Sequence, residues 1–177
     1  MSEMYSNNIL VQGDRNSGKT YLIHRIIKRF SNSKRLAGFF TWKAADGTVR
    51  FRAWDNFELM ETGPAEIIYR EDDRTVRQQV FEELGVRSIE HAMECSKLMV
   101  FDELGRFEET CEGFKEAIRK ALAHEAPVIA ALKSETNPFL DFLREREDVS
   151  LFTITLSTRE EVFGKVADRL DEILQVR

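Results

Sequence analysis

Cysteine and proline are scarce, no long apolar run is present, and basic charge is not in excess; each shortage removes a class of protein. The two cysteines, Cys95 and Cys111, stand far apart without CxxC or Cys/His ligand spacing. They read as ordinary thiols in a reducing compartment, with no cysteine-built metal site. No stretch is apolar for long enough to span a bilayer, and Met1 to Asn8 carry neither a basic flank nor an apolar signal core. A cytoplasmic protein with no membrane partner is expected. A formal net charge of −5 argues against nucleic acid as a partner, because displacing counterions takes a basic surface. His24, His91 and His124 share no spacing, so a metal cluster or catalytic triad finds no support in them. No repeat, low-complexity tract or linker divides the 177 residues. One domain over 1–177 is the expectation, large enough to bury a core without disulfides or metals.

What is present centres on Gly13-Asp14-Arg15-Asn16-Ser17-Gly18-Lys19-Thr20. The spacing G-x-x-x-x-G-K-[ST] lets the backbone curl until its N–H groups point inward at phosphate oxygens. Lys19 adds a mobile positive charge, and the Thr20 hydroxyl is free to ligate Mg²⁺. Context supports this Walker A reading: Ile9-Leu10-Val11 before it suits a buried strand, and Leu22, Ile23, Ile26, Ile27 and Phe30 after it recur at helical spacing. The cations Arg15, Arg25, Lys28, Arg29, Lys34 and Arg35 crowd that helix and its exit. Most read as a solvated face, with Lys19 and Arg15 available to phosphates.

Further along, Leu36 to Thr41 reads as a strand, and Asp46-Gly47 as a hairpin turn into Val49–Trp54, giving an antiparallel flap. From Asp55 to Arg87 the pattern is weakest. Gly63-Pro64 marks a turn, Ile67-Ile68-Tyr69 a short strand, Glu71 to Arg74 an exposed loop and Val80-Phe81 a weak strand candidate. A short helix is expected from Ser88 to about Glu94.

Lys97-Leu98-Met99-Val100-Phe101-Asp102-Glu103 has the form of a Walker B strand. A buried parallel strand ends at the sheet's carboxyl edge, where the phosphate loop also opens, so Asp102 is placed to hold Mg²⁺. Glu103 is the candidate general base for water. Phe107, Cys111, Phe114, Ile118 and Leu122 form a helical stripe that makes Cys111 a buried hydrophobe. Lys133-Ser134 closes another apolar strand and reads equally as a γ-phosphate sensor or a loop start. Asn137-Pro138 opens a short helix. Val149 to Thr155 is a strand, and Thr158 to Glu161 a capping box before the last helix. A cation at Arg159 opposes that helix's dipole, which suits contact with nucleotide or a partner carboxylate as well as a plain surface position. Strands alternating with helices give an α/β fold with a mostly parallel sheet.

The order of these motifs resembles the small P-loop nucleoside-triphosphatases of the thermophile type, whose vertebrate members are called cancer-related nucleoside-triphosphatases. The resemblance runs nearly end to end. Gly38-Phe39-Phe40-Thr41 is similar to the family's Gly-Phe-x-Thr strand. Asp102-Glu103-Leu104-Gly105-Arg106-Phe107-Glu108 is similar to its Asp-Glu-[Ile/Leu]-Gly-[Lys/Arg]-x-Glu signature. Asn137 to Leu140 and Thr155 to Arg159 resemble two further elements. The resemblance implies a RecA-like or nucleotide-kinase-like three-layer P-loop fold. It also implies Mg²⁺-dependent hydrolysis of ATP or another nucleoside triphosphate to the diphosphate and phosphate, with broad nucleobase tolerance, and it adds Glu108 and Arg159 to Lys19 and Glu103 as catalytic candidates. The chain departs from the family in the loop interior, where Asp14 to Ser17 are bulkier and Asp14 is negative, in Trp42 to Phe51, and at Thr158, where the family has Asn. Two other readings use the same residues: a nucleotide or small-molecule kinase, and an interaction module reset by slow hydrolysis.

Overall fold

The computed structural model describes residues 6–57 and 65–175; the turn expected at Gly63-Pro64 lies outside them. The elements run β1 (Asn8–Gly13), α1 (Lys19–Phe30), β2 (Leu36–Lys43), β3 (Thr48–Asp55), β4 (Glu66–Arg70), β5 (Thr75–Val76) and α2 (Gln78–Val80). A π-helical stretch, Phe81–Gly85, then leads into α3 (Val86–Cys95). β6 (Leu98–Leu104), α4 (Glu112–Leu122), β7 (Val128–Lys133), α5 (Pro138–Arg144), β8 (Val149–Thr153) and α6 (Arg159–Gln175) complete the order. One sheet of order β5-β4-β3-β2-β6-β7-β1-β8 collects all eight strands. The five from β2 to β8 in that order are parallel, and β3, β4 and β5 extend them antiparallel as the flap.

Alternation along each strand explains the three layers, because successive side chains point to opposite faces. Ile9, Val11, Leu98 and Val100 pack with Leu22, Ile23, Ile26, Val166 and Leu170, so α1 and α6 cover one face. Leu10, Phe39, Met99 and Phe101 pack with Ile89, Phe114, Ile118 and Leu140, which brings α3, α4 and α5 onto the other. Phe39 stacks between Phe51 and Phe101 at centroid distances of 4.9 and 5.0 Å, joining flap to parallel core.

Several local expectations are corrected. Val80-Phe81 is helical: the two-residue apolar run carries no period of its own, and Phe81 is buried against Phe51 and Phe114. The helix expected to begin near Phe107 starts at Glu112, after a turn in which Phe107 stacks on Tyr69 of the flap at 4.6 Å. No local side chain caps α4; Glu82 reaches from the π-helical stretch to accept the N–H groups of Gly113 and Phe114 at 3.2 and 3.1 Å. β8 ends at Thr153, two residues early. The capping box does not close as expected, since Thr158 Oγ1 accepts from the Thr155 N–H and Glu161 pairs with Lys165. The cations of α1 lie on an exposed face, where Arg25 and Arg29 pair with Glu160 and Asp171 of α6, each at 2.6 Å.

Candidate active site

Parallel strands place their carboxyl ends along one edge, and there β1, β7 and β6 lie side by side. The phosphate loop leaves β1 at Gly13 and enters α1 at Lys19. A Cβ on Gly13 would strike the Ile154 carbonyl and stand 2.6 Å from Ser17 Oγ, so only glycine fits where the loop passes under β8's exit. Gly18 takes φ +106°, a left-handed conformation that glycine adopts without steric cost.

α1 begins with no side-chain cap and no acidic residue in its first turn. Its N-terminal N–H groups and dipole are therefore left for an anion. Ser17 Oγ, buried in the same loop, is one of two buried side-chain oxygens among the described residues without a hydrogen-bond partner. Lys19 is only 7% exposed and curls back to donate to the Gly13 and Asp14 carbonyls at 2.7 and 3.0 Å. Asp14, Arg15 and Asn16 are exposed around the rim. The carbonyl of Asp14, which also accepts the Ser17 N–H, shapes the loop.

β6 brings the acids to this cradle. Thr20 Oγ1 donates to Asp102 Oδ1 at 3.3 Å, across 82 residues of sequence. Glu103 lies between two lysines, its oxygens 3.9 Å from Lys19 Nζ and 3.8 Å from Lys133 Nζ. Thr41 braces it from β2: the hydroxyl accepts the Glu103 N–H at 3.2 Å and donates to its carbonyl at 3.4 Å. Burial raises all three carboxyls of this edge. Asp102 is pushed up to about 7 by burial and then by the Glu103 charge, with Thr20 and Lys19 opposing. Glu103 is raised by burial, which Lys133 and Lys19 partly offset. Glu108, 3% exposed, is pushed up to about 7 by burial although it accepts the Gly105 N–H.

The remaining sequence-read residues fall into two groups. Arg159 reaches the loop from α6, its Cβ and Cδ 3.8 Å from where a Gly18 Cβ would stand and its guanidinium 5.4 Å from the Tyr21 ring. Glu108 does not open onto the cleft; it folds back on its own loop. Sequence reasoning missed Arg144, which donates to Gln12 Oε1, the Lys133 carbonyl and the Glu135 carbonyl at 2.9, 2.7 and 3.0 Å. It pins the end of β7 and with it the backbone of Lys133. An i−11 partner leaves no periodic trace.

Comparison with known proteins places the chain in a family. Residues 8–167 match the family described as NTPase. This chain belongs to the NTPase family. Hydrolysis of nucleoside triphosphates is the reaction class that membership carries. Among its relatives is the nucleoside-triphosphatase THEP1 of Thermotoga maritima, 29% identical over 167 residues, spanning 89% of this chain and 92% of that one. The THEP1 of Natranaerobius thermophilus is 29% identical and spans 97% and 100%. The crystal structure of THEP1 from Aquifex aeolicus superposes with a TM-score of 0.76 at 23% identity, covering 92% of this NTPase and 98% of that chain. The solution structure of a human cancer-related nucleoside triphosphatase gives 0.68 at 20%, covering 92% and 96%. Those two establish the fold. No helix among the described residues is long and apolar enough to cross a membrane.

One juxtaposition in the middle of the chain was not expected from the sequence. His91 does join a cluster: with Cys95 one turn on along α3 and Asp55 at the end of β3, it forms a group whose ligand atoms lie within 4.8 Å of one another. The i,i+4 spacing of His91 and Cys95 was the legible signal; Asp55 is brought in only by tertiary folding.

Proposed function

We propose that the chain hydrolyses the β,γ-phosphoanhydride of nucleoside triphosphates in a Mg²⁺-dependent reaction with little preference among bases, and that Lys19, Thr20, Asp102 and Glu103 carry it. The observation behind this reading is the meeting of Thr20 with Asp102 at 3.3 Å beside a Glu103 held between two lysines.

The donors fit a small hard cation. Two oxygens 3.3 Å apart are close to the spacing of about 3 Å expected of neighbouring ligands in an octahedron of radius about 2.1 Å. Thr20 and Asp102 would hold Mg²⁺, which when bound neutralises charge on the phosphates. The loop N–H groups, Ser17 Oγ and Lys19 bind the triphosphate, Lys19 exchanging its carbonyl partners for phosphate oxygens. Glu103 orients a water and takes its proton at an Oε atom, with Thr41 fixing its backbone. Glu108 acts as a positioning residue for the Gly105 turn rather than on substrate. Arg159 adds charge at the loop's open side. Tyr21, half exposed beside Arg159, offers a flat face, and stacking accepts any base.

The test is phosphate release from ATP, GTP, CTP and UTP with Mg²⁺ and with a chelator, for the wild type and Asp102→Asn. Turnover of all four within about tenfold, lost on chelation and in the variant, is expected. Undiminished turnover in chelator or in Asp102→Asn would overturn the assignment, and a large increase in diphosphate formation with an added hydroxyl acceptor would turn it into a kinase.

A further inference from the structure

At the sheet's opposite edge the chain carries a group of side chains that hydrolysis does not use. Asp55 ends β3, whose antiparallel pairing sets it beside Ala37 at the start of β2, so it lies at the amino edge, the full length of the strands away from the phosphate loop. His91 and Cys95 descend on it from α3. Asp55 Oδ2 stands 2.8 Å from His91 Nε2, His91 Nε2 3.4 Å from Cys95 Sγ, and Cys95 Sγ 3.6 Å from Asp55 Oδ2.

That triangle decides between two chemistries. A cysteine nucleophile activated by histidine needs the carboxylate on one ring nitrogen and the thiol on the other. Here both approach the same nitrogen, so no relay forms. Three different donors converging on one point is instead the arrangement of a coordination site. Zinc in tetrahedral coordination holds sulfur at about 2.3 Å and nitrogen or oxygen at about 2.0 Å, which separates the donors by about 3.3 to 3.6 Å. Two of the three separations already match, and the third opens by about 0.5 Å when a metal replaces the Asp55–His91 hydrogen bond.

We propose that Asp55, His91 and Cys95 form a zinc site at the amino edge of the sheet, with water as fourth ligand. Thiolate and imidazole select zinc over the Mg²⁺ of the phosphate edge, a hard ion that takes oxygen donors. The carboxylate is oriented as ligating carboxylates are: Arg35 Nη2 donates to Oδ2 at 2.7 Å and the Phe57 N–H to Oδ1 at 2.9 Å. With Cys95 as thiolate, its proton released to solvent, the site offers the metal two anionic ligands. His91, about a third exposed, keeps a path to solvent. Bound metal would tie the end of β3 to the last turn of α3.

The experiment is Co²⁺ titration of the reduced full chain, followed by Zn²⁺ displacement and chelator competition. One equivalent of Co²⁺ should give a thiolate charge-transfer band in the near ultraviolet with tetrahedral visible bands, all removed by Zn²⁺. Cys95→Ser should abolish the thiolate band and weaken Zn²⁺ binding by more than about 100-fold. His91→Ala should weaken it comparably, and Cys111→Ser should leave both unchanged. Absence of a thiolate band in the wild type, which requires no variant to fold, would overturn the proposal, as would a band that survives Cys95→Ser. Mg²⁺-supported turnover should be the same in Cys95→Ser as in the wild type; loss of turnover in a folded variant would overturn the separation of the two edges.

Discussion

Each edge of the sheet holds one deeply buried aspartate, and the two environments drive the carboxyls in opposite directions. At the carboxyl edge, burial and the neighbouring Glu103 charge push Asp102 up to about 7, and the Thr20 hydroxyl with the Lys19 charge does not restore it. At the amino edge burial also opposes ionisation of Asp55, yet the hydrogen bonds from Arg35, the Phe57 N–H and His91 outweigh it and hold the carboxyl well below the usual range. Asp55 is satisfied within the fold. Asp102 is left short of positive charge, beside an uncapped helix start and an unpartnered serine hydroxyl. A carboxyl left incomplete in this way waits for charge from outside, whereas Asp55 is already held ionised, as a metal ligand must be, and the contrast tells the two sites apart better than burial does.

The largest way to test the contrast is Lys19→Ala. Phosphate release should fall at least about 1,000-fold, because the loop then lacks its only buried cation for the triphosphate, whereas Arg35→Met at the other edge should leave turnover within about twofold. A Lys19→Ala variant retaining more than a tenth of wild-type turnover would mean that the cradle is not where the reaction occurs. Glu103→Gln comes next. It keeps size and hydrogen bonding but cannot take a proton, so kcat should drop by about 100-fold to 10,000-fold while nucleotide affinity, read by calorimetry, moves little. Lost affinity instead would make Glu103 a binding group.

The sequence was most legible where chemistry and periodicity coincide. Gly13 to Thr20 announced its own role, and the apolar run ending at Asp102-Glu103 fixed the partner strand, since parallel strands deliver their ends to one edge. Legibility failed where long-range contacts decide. Val80-Phe81 is too short to show a period, and its helical state comes from Phe81 packing under Phe51 and Phe114. Arg144 acts through carbonyls that no side-chain pattern encodes. Asp55 fell just past the expected strand Val49–Trp54, at the start of the weakest-patterned stretch, and only the antiparallel return of β3 carries it to Arg35 and His91.

Glu108 tests whether the carboxyl edge is strained through its supporting loop as well as its reacting groups. Its carboxyl sits at about 7 in the folded chain against an ordinary 4.5. Between those values the folded state binds more protons than the unfolded state, so stability falls as pH rises through that window. The contribution is at most about 3 kcal/mol. Glu108→Gln keeps an acceptor for the Gly105 N–H and removes the titration. Urea unfolding at pH 5 and pH 8 should show the wild type losing about 2 to 3 kcal/mol more than the variant across that interval. Parallel pH profiles would place Glu108 in a milder environment.

The smallest effect is expected at the amino edge, where removing one partner of Asp55 shows how firmly the others hold it. Arg35→Met takes away the shortest guanidinium contact to Asp55, 2.7 Å to Oδ2, while the aspartate side chain stays 1% exposed. Stripping the partner from a fully buried ion pair costs about 3 to 5 kcal/mol. Arg35 is itself about a quarter exposed, and the Phe57 N–H and His91 remain on the carboxylate, so a loss of about 2 kcal/mol is the expectation, measured by urea unfolding with chelator present. A loss below about 0.5 kcal/mol would show that the other groups around Asp55 suffice without the guanidinium. A loss of the full buried-pair size would show the reverse, that the remaining groups cannot hold the charge, and the amino edge would then depend on one guanidinium as heavily as the carboxyl edge depends on Lys19.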